Sequence, residues 1–245
     1  MCKIAIITGG SYGIGKALVQ VYHQNNWKVI TLSRTLGELP KEIHQIKVDL
    51  TNYNALNEAF KKAYAEVNPA GIEQITLINN AGRLGKIATI DNIPLADIQL
   101  SINLNITAVM QLTSLFLKRF KTINCKKTSI NLSSGAALNP YAGWSVYCAS
   151  KAAIDLFTKT VALEQESKKN PCKIIAIRPG IVATKMQEQI RKTSKEDFKM
   201  VDKFIELHQK DQLSEPKDVA LKIFKIDAEN HLKNGDIVDL REIEL

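Results

Sequence analysis

Short runs rich in β-branched residues alternate along this chain with longer segments of helical period, and that alternation limits the fold more than any other feature. The runs fall at 4–8, 29–32, 46–48, 75–79, 129–132, 173–177 and 236–238. Segments 13–24, 54–67, 98–120, 145–166 and 216–226 read as helices between them. Parallel strands cannot be joined by a tight turn; each pair needs a crossover, which a helix supplies. The pattern implies an α/β fold, a doubly wound, Rossmann-like parallel sheet of about seven strands with helices on both faces. The 245 residues suit one such domain over 1–245, and no internal repeat, low-complexity tract or linker divides them.

Two connections depart from this rhythm. Only 14 residues separate Arg34 from Asp49, and Leu39-Pro40 interrupts them, so a single turn or an extended link is expected in place of a helix. Segment 185–213 is helical, charged and longer than a connection requires. Ligands in such folds bind beyond the carboxyl ends of the strands, which makes this segment a candidate substrate-side lid.

Composition excludes several classes. The net charge of +8 comes from lysines spread along the chain without interleaved aromatics, so a solvated surface is expected and no nucleic-acid partner. Cys2, Cys125, Cys148 and Cys172 are too scattered for a disulfide framework and fit a reducing cytoplasm. His23, His44, His208 and His231 lack ligand spacing, so no catalytic metal is expected. No apolar run approaches the roughly 18 residues of a membrane span. The apolar stretch 4–7 leads directly into a glycine loop, which reads as a strand and not a signal peptide, and no membrane association is expected.

That loop runs Thr8-Gly9-Gly10-Ser11-Tyr12-Gly13-Ile14-Gly15 and opens a helix. Glycines permit the tight turn and let backbone N–H groups and the helix N-terminus approach a pyrophosphate. The second strand ends Leu32-Ser33-Arg34, and no acid precedes Glu38. An acid at that strand end suits the ribose hydroxyls of NAD, whereas a base suits the 2′-phosphate of NADP, so Arg34 points to NADP(H).

Further along stand Ser134 and the segment Tyr147-Cys148-Ala149-Ser150-Lys151. Residues four apart share a helix face, so Lys151 sits beside Tyr147, and the serine arrives from a strand end. A tyrosine with an ordinary pKa of roughly 10 becomes useful in proton transfer when nearby positive charge favours its phenolate. Together these motifs make the chain resemble the short-chain dehydrogenase/reductases over nearly its whole length. It matches their Thr-Gly-x-x-x-Gly-x-Gly loop at Thr8, Gly9, Gly13 and Gly15, with Ser11, Tyr12 and Ile14 between. It matches their Asn-Asn-Ala-Gly element at Asn79, Asn80, Ala81 and Gly82, and their Ser…Tyr-x-x-x-Lys group at Ser134, Tyr147 and Lys151.

The resemblance implies an NADP-dependent enzyme acting on CH–OH and C=O groups. Hydride would pass from the nicotinamide to a carbonyl carbon while Tyr147 protonates the oxygen and Ser134 holds it. It implies a water held by Asn105 in a proton relay, and cofactor contacts from Asp49, Leu50, Asn80, Ala81, Gly82, Lys151, Pro179, Gly180, Val182 and Thr184. Within the family, Pro140-Tyr141-Ala142-Gly143-Trp144 and Thr184-Lys185-Met186-Gln187 look most like the sepiapterin and benzil reductase branch, whose members reduce vicinal dicarbonyls with NADPH. Tyr141, Trp144 and Met186 would then face a flat substrate, and Asp239 would anchor the guanidine-like edge of a pterin. Reduction of another carbonyl class, or a silent NADP-sensing role, are the alternatives. The family's habit of pairing through helices implies a homodimer or homotetramer.

Overall fold

Strands buried on both faces of a parallel sheet need continuous apolar runs, and the first strand, β1 (Cys2–Thr8), has one: Ile4, Ala5, Ile6 and Ile7 are all essentially inaccessible. The computed structural model describes residues 2–243. The helix α1 (Gly13–Gln24) follows β1, and then come β2 (Lys28–Ser33), β3 (His44–Lys47), α2 (Tyr53–Ala65) and β4 (Ile72–Asn79). Next are α3 (Leu95–Ile102), α4 (Ala108–Phe120), β5 (Lys126–Leu132), α5 (Ser145–Glu166) and β6 (Lys173–Arg178). The helices α6 (Lys185–Arg191), α7 (Val201–Gln209) and α8 (Pro216–Glu229) lead to β7 (Ile237–Asp239).

All seven strands join one parallel sheet in the order β3-β2-β1-β4-β5-β6-β7. The chain winds outward from β1 to β3, returns, and winds the other way from β4 to β7. The reversal lies between β1 and β4, where a crevice opens at the carboxyl ends of the strands. On one face, α2 and α4 bury Leu56, Phe60, Leu112, Phe116 and Phe120 against the sheet. On the other, α1 and α8 bury Leu18, Tyr22, Val219, Ile223 and Ile226. A smaller third cluster joins Leu84, Trp144, Phe198 and Phe204 under α6 and α7.

Between β2 and β3 the chain forms only turns and bends, as the short spacing and Leu39-Pro40 require. The helix expected over 98–120 starts three residues earlier, after Pro94, and is interrupted by a π turn at Asn103–Thr107. Taken together, Leu95–Phe120 is long and apolar enough to span a bilayer, with a mean hydropathy of 1.4, which a search for unbroken apolar runs does not reveal. Its apolar side is instead spent on the core, through Leu112, Phe116 and Phe120.

Candidate active site

The glycine loop is shaped by what glycine alone allows. Gly9 and Gly13 have φ of +69° and +52°, in the left-handed region. A Cβ on Gly15 would stand 2.1 Å from the Gly9 carbonyl oxygen and 2.5 Å from Asn80 Nδ2, so the loop closes only without one. Thr8 ties it to the next strand end: its Oγ1 accepts from the N–H groups of Asn80 and Ala81, both at 2.9 Å. Asn80 Nδ2 donates back to the Thr8 carbonyl at 2.8 Å. The Gly10 N–H donates to Ser33 Oγ at 2.9 Å, fixing the loop to the end of β2.

A cavity of about 730 Å³ runs from this loop past Asn80, Ala81 and Gly82 to Ser134, Tyr147 and Trp144. Glycines on its floor, the N-terminus of α1 and Arg34 at the end of β2 fit a dinucleotide with its phosphates against the loop. Ser11, Tyr12, Ile14, Leu50, Pro179, Gly180, Val182 and Thr184 also line it. Thr184 precedes α6 and makes no side-chain capping bond, so its hydroxyl is not consumed by the helix. Two expected cofactor residues stand back from the lining. Thr8 is buried as the tie described above, and the Asp49 carboxylate takes the N–H and hydroxyl of Thr51 at 2.9 and 2.8 Å. The absence of acids before Glu38 also misses a neighbour: the end of β3 brings Asp49 close enough to Arg34 for the guanidinium to help hold its carboxyl down, after the Thr51 hydrogen bonds.

Ser134 follows β5, Tyr147 lies in the first turn of α5 and Lys151 one turn on. Ser134 Oγ accepts from the Ala136 N–H at 3.2 Å and lines the same cavity as the Tyr147 phenol. Burial pushes that phenol up to about 12, partly countered by Ser134. Burial also pulls the neighbouring Lys151 ammonium down to about 8, with the Asp155 carboxylate opposing that shift. Lys151 Nζ donates to the Leu132 carbonyl at 2.7 Å and lies 5.7 Å from the Tyr147 ring centre. The phenol is thus held as a protonated acid.

Asn105 is buried inside the π turn, away from the cavity lining. Its Oδ1 accepts from the Arg83 N–H at 2.9 Å, and its Nδ2 donates to the Arg83 carbonyl at 2.8 Å and to Ser150 Oγ at 3.2 Å. The side chain of this asparagine, the residue expected to hold a relay water, is committed to the backbone after Gly82 and to α5.

At the far end, Tyr141, Trp144 and Met186 line the cavity, and Trp144 stacks on Phe198 at 4.8 Å. Asp239 does not. Its carboxylate is clamped by Arg241, which faces the cavity in its place, so the expected pterin anchor is corrected to a paired acid. The segment expected as a lid, 185–213, contributes Gln187, Ile190, Lys203 and Phe204 to the lining of this end. Gln189 Nε2 donates to the Gly85 carbonyl at 2.7 Å and ties α6 to the opposite wall.

Motif reading overlooked Asp155, which accepts from Ser133 Oγ at 2.5 Å and from Arg178 Nη2 at 2.6 Å. Its position four residues beyond Lys151 was the available signal.

The short chain dehydrogenase family model matches residues 3–195. The chain is 37% identical over 241 residues to a benzil reductase ((S)-benzoin forming) of Bacillus subtilis (strain 168), covering 98% of this chain and 99% of that one. It is 28% identical over 254 residues to the sepiapterin reductase of Bos taurus, covering 96% and 93%. Among solved structures it is similar to the KRED1-Pglu enzyme, with a TM-score of 0.83 at 26% identity over 96% of this chain and 100% of that one. ElxO with NADP bound gives 0.80 at 25% identity over 98% and 97%.

Proposed function

This chain belongs to the short-chain dehydrogenase family, and we propose that it reduces one carbonyl of a vicinal dicarbonyl to an alcohol, using NADPH. The observation that carries the reaction type is the buried Tyr147 phenol, which lines one cavity together with Ser134, Lys151 and the glycine loop. The nicotinamide, when bound, supplies a hydride to the carbonyl carbon. The protein's own groups do the rest. Ser134 holds the carbonyl oxygen in position and Tyr147 gives it a proton from its hydroxyl. Lys151 supplies positive charge beneath the phenol as the proton leaves. Tyr141, Trp144 and Phe204 keep water from the apolar side of the substrate.

Reading the donor as NADPH rests on Arg34, whose planar guanidinium suits a 2′-phosphate. The dicarbonyl rests on similarity to the benzil and sepiapterin reductases. The four free cysteines fit a reducing cytoplasm. Steady-state assays of NADPH and NADH with benzil test these readings together. Expected is a clear NADPH preference, with Tyr147→Phe lowering turnover by about 10²–10⁴-fold while NADPH still binds. An equal or greater efficiency with NADH would remove the role of Arg34. Wild-type turnover in Tyr147→Phe would remove the mechanism.

A further inference from the structure

The cavity carries a charge bias that proton and hydride transfer do not require. Among the described residues lining it are Arg34, Lys151, Lys185, Lys203 and Arg241, and no Asp or Glu. Three of these have places at the cofactor side or the reacting group. Arg34 stands at the end of β2, Lys151 stands beside Tyr147, and the Lys185 ammonium lies 4.0 Å over the Tyr12 ring of the glycine loop. Lys203 and Arg241 remain, at the end walled by Tyr141, Trp144 and Phe204.

Arg241 is held in place. Its backbone N–H and its Nε donate to Asp239 Oδ1 at 3.0 and 2.8 Å, and its Nη2 donates to Oδ2 at 2.6 Å. Asp239 is almost fully buried, so the clamp fixes the guanidinium from the side away from solvent. The stem of Arg241 lies over Gly180, whose φ is +80°, and a Cβ there would come within 3.3 Å of Cδ and 3.4 Å of Cγ. Gly180 thus leaves the room in which Arg241 sits across the cavity wall. The clamp uses Nε and Nη2; among the described residues Nη1 has no hydrogen-bond partner. Lys203 projects from the exposed side of α7 beside Phe204 and makes no ion pair with a described residue.

A fixed guanidinium offers planar N–H donors and a charge that no deprotonation removes, the arrangement that reads a carboxylate. A ligand presenting its own N–H edge would set donor against donor. We propose that Arg241, oriented by Asp239 and assisted by the field of Lys203, determines specificity: it selects 2-oxo acids whose carboxylate adjoins the reducible carbonyl and whose flat apolar group lies on the aromatic wall. Substrates with an amino- or guanidine-like edge are disfavoured. This rests on the carbonyl-reductase reading and narrows its substrate class.

The test compares phenylglyoxylate with its methyl ester, which keeps the shape and removes the charge, with benzil as a neutral reference and NADPH as donor. The wild type is expected to prefer the acid, with a preference that shrinks as salt rises. Arg241→Gln is expected to raise KM for the acid about tenfold or more while leaving the ester and the dissociation constant for NADPH nearly unchanged. Lys203→Gln should show a smaller loss with the acid and a weaker salt dependence. It leaves Asp239 paired, so it keeps the contrast available if Arg241→Gln folds poorly. A wild type that reduces the ester as well as the acid overturns the proposal, as does an equal loss for both compounds in either variant. Reduction of benzil alone also overturns it while sparing the broader reading; reduction of none of the three overturns the dicarbonyl reading itself.

Discussion

Burial moves Tyr147 and Lys151 in opposite directions on the pH scale. The phenol, pushed up to about 12, keeps its proton across the neutral range and stands ready as an acid. The ammonium, pulled down to about 8 by burial, loses its proton a little above neutrality, and the nearby Asp155 carboxylate opposes that loss. The efficiency of reduction in the free enzyme should therefore fall on an alkaline limb near pH 8, where Lys151 gives up its charge. Asp155→Asn removes the opposing carboxylate, so the limb should move to lower pH. A profile of kcat/KM against pH reads this directly; an unmoved limb would leave Asp155 only its bonds to Ser133 and Arg178. The spacing Tyr147, Lys151, Asp155 is visible in the sequence as three residues on one helix face. The partners of Asp155 are not, because Ser133 and Arg178 come from the ends of different strands. Arg241 was hidden for a similar reason. Its separation of two from Asp239 is plain, but its turn across the cavity depends on the room left by Gly180.

Elements were legible where a period was long and unbroken. The helix α5 falls on its expected bounds and α1 likewise, because each has an uninterrupted apolar face and a glycine or turn at its start. The π turn in the middle of Leu95–Phe120 had no such signal. Its cause lies in tertiary partners: Asn105 is drawn toward the Arg83 backbone and Ser150, neither of which is near it in sequence. That arrangement makes Asn105 a brace between the π turn, the loop after Gly82 and α5. Asn105→Ala would leave the half-buried Arg83 N–H and carbonyl without this partner, and a loss of at most about 1–3 kcal/mol is expected, the range for unsatisfied buried groups. Chemical denaturation measures it. NADPH should bind more weakly in the same variant, since Gly82 lines the cavity and its loop hangs from this brace. Unchanged stability and NADPH binding would leave the asparagine without a structural task.

At the scale of the whole molecule, the observed strand order places the crevice between β1 and β4, and a ligand site beyond the carboxyl ends of the strands could be anticipated from the alternation of runs. What covers the outside of the sheet's helices could not. On α5, Leu156 and Leu163 are 67% and 66% exposed. They are seven residues apart and so share one helix face. Leu100 of α3 and Met110 of α4, each 37% exposed, add apolar surface on the helices that the family's pairing habit would bring to the same interface. Two leucines this open on a helix whose other side carries Tyr147 and Lys151 are costly to leave in water, and we propose that a second copy of the chain covers them. A two-fold axis through this face would set α5 against its own symmetry mate, so that each leucine meets the same patch twice. The proposed homo-oligomer should then be broken by Leu156→Asp with Leu163→Asp, because like charges would face each other across the axis. Light scattering after size-exclusion chromatography is expected to show a dimer or tetramer for the wild type and a smaller species for the double variant. The variant should retain NADPH binding, because neither leucine lines the cavity. A monomeric wild type at assay concentration would show that α5 meets something other than itself.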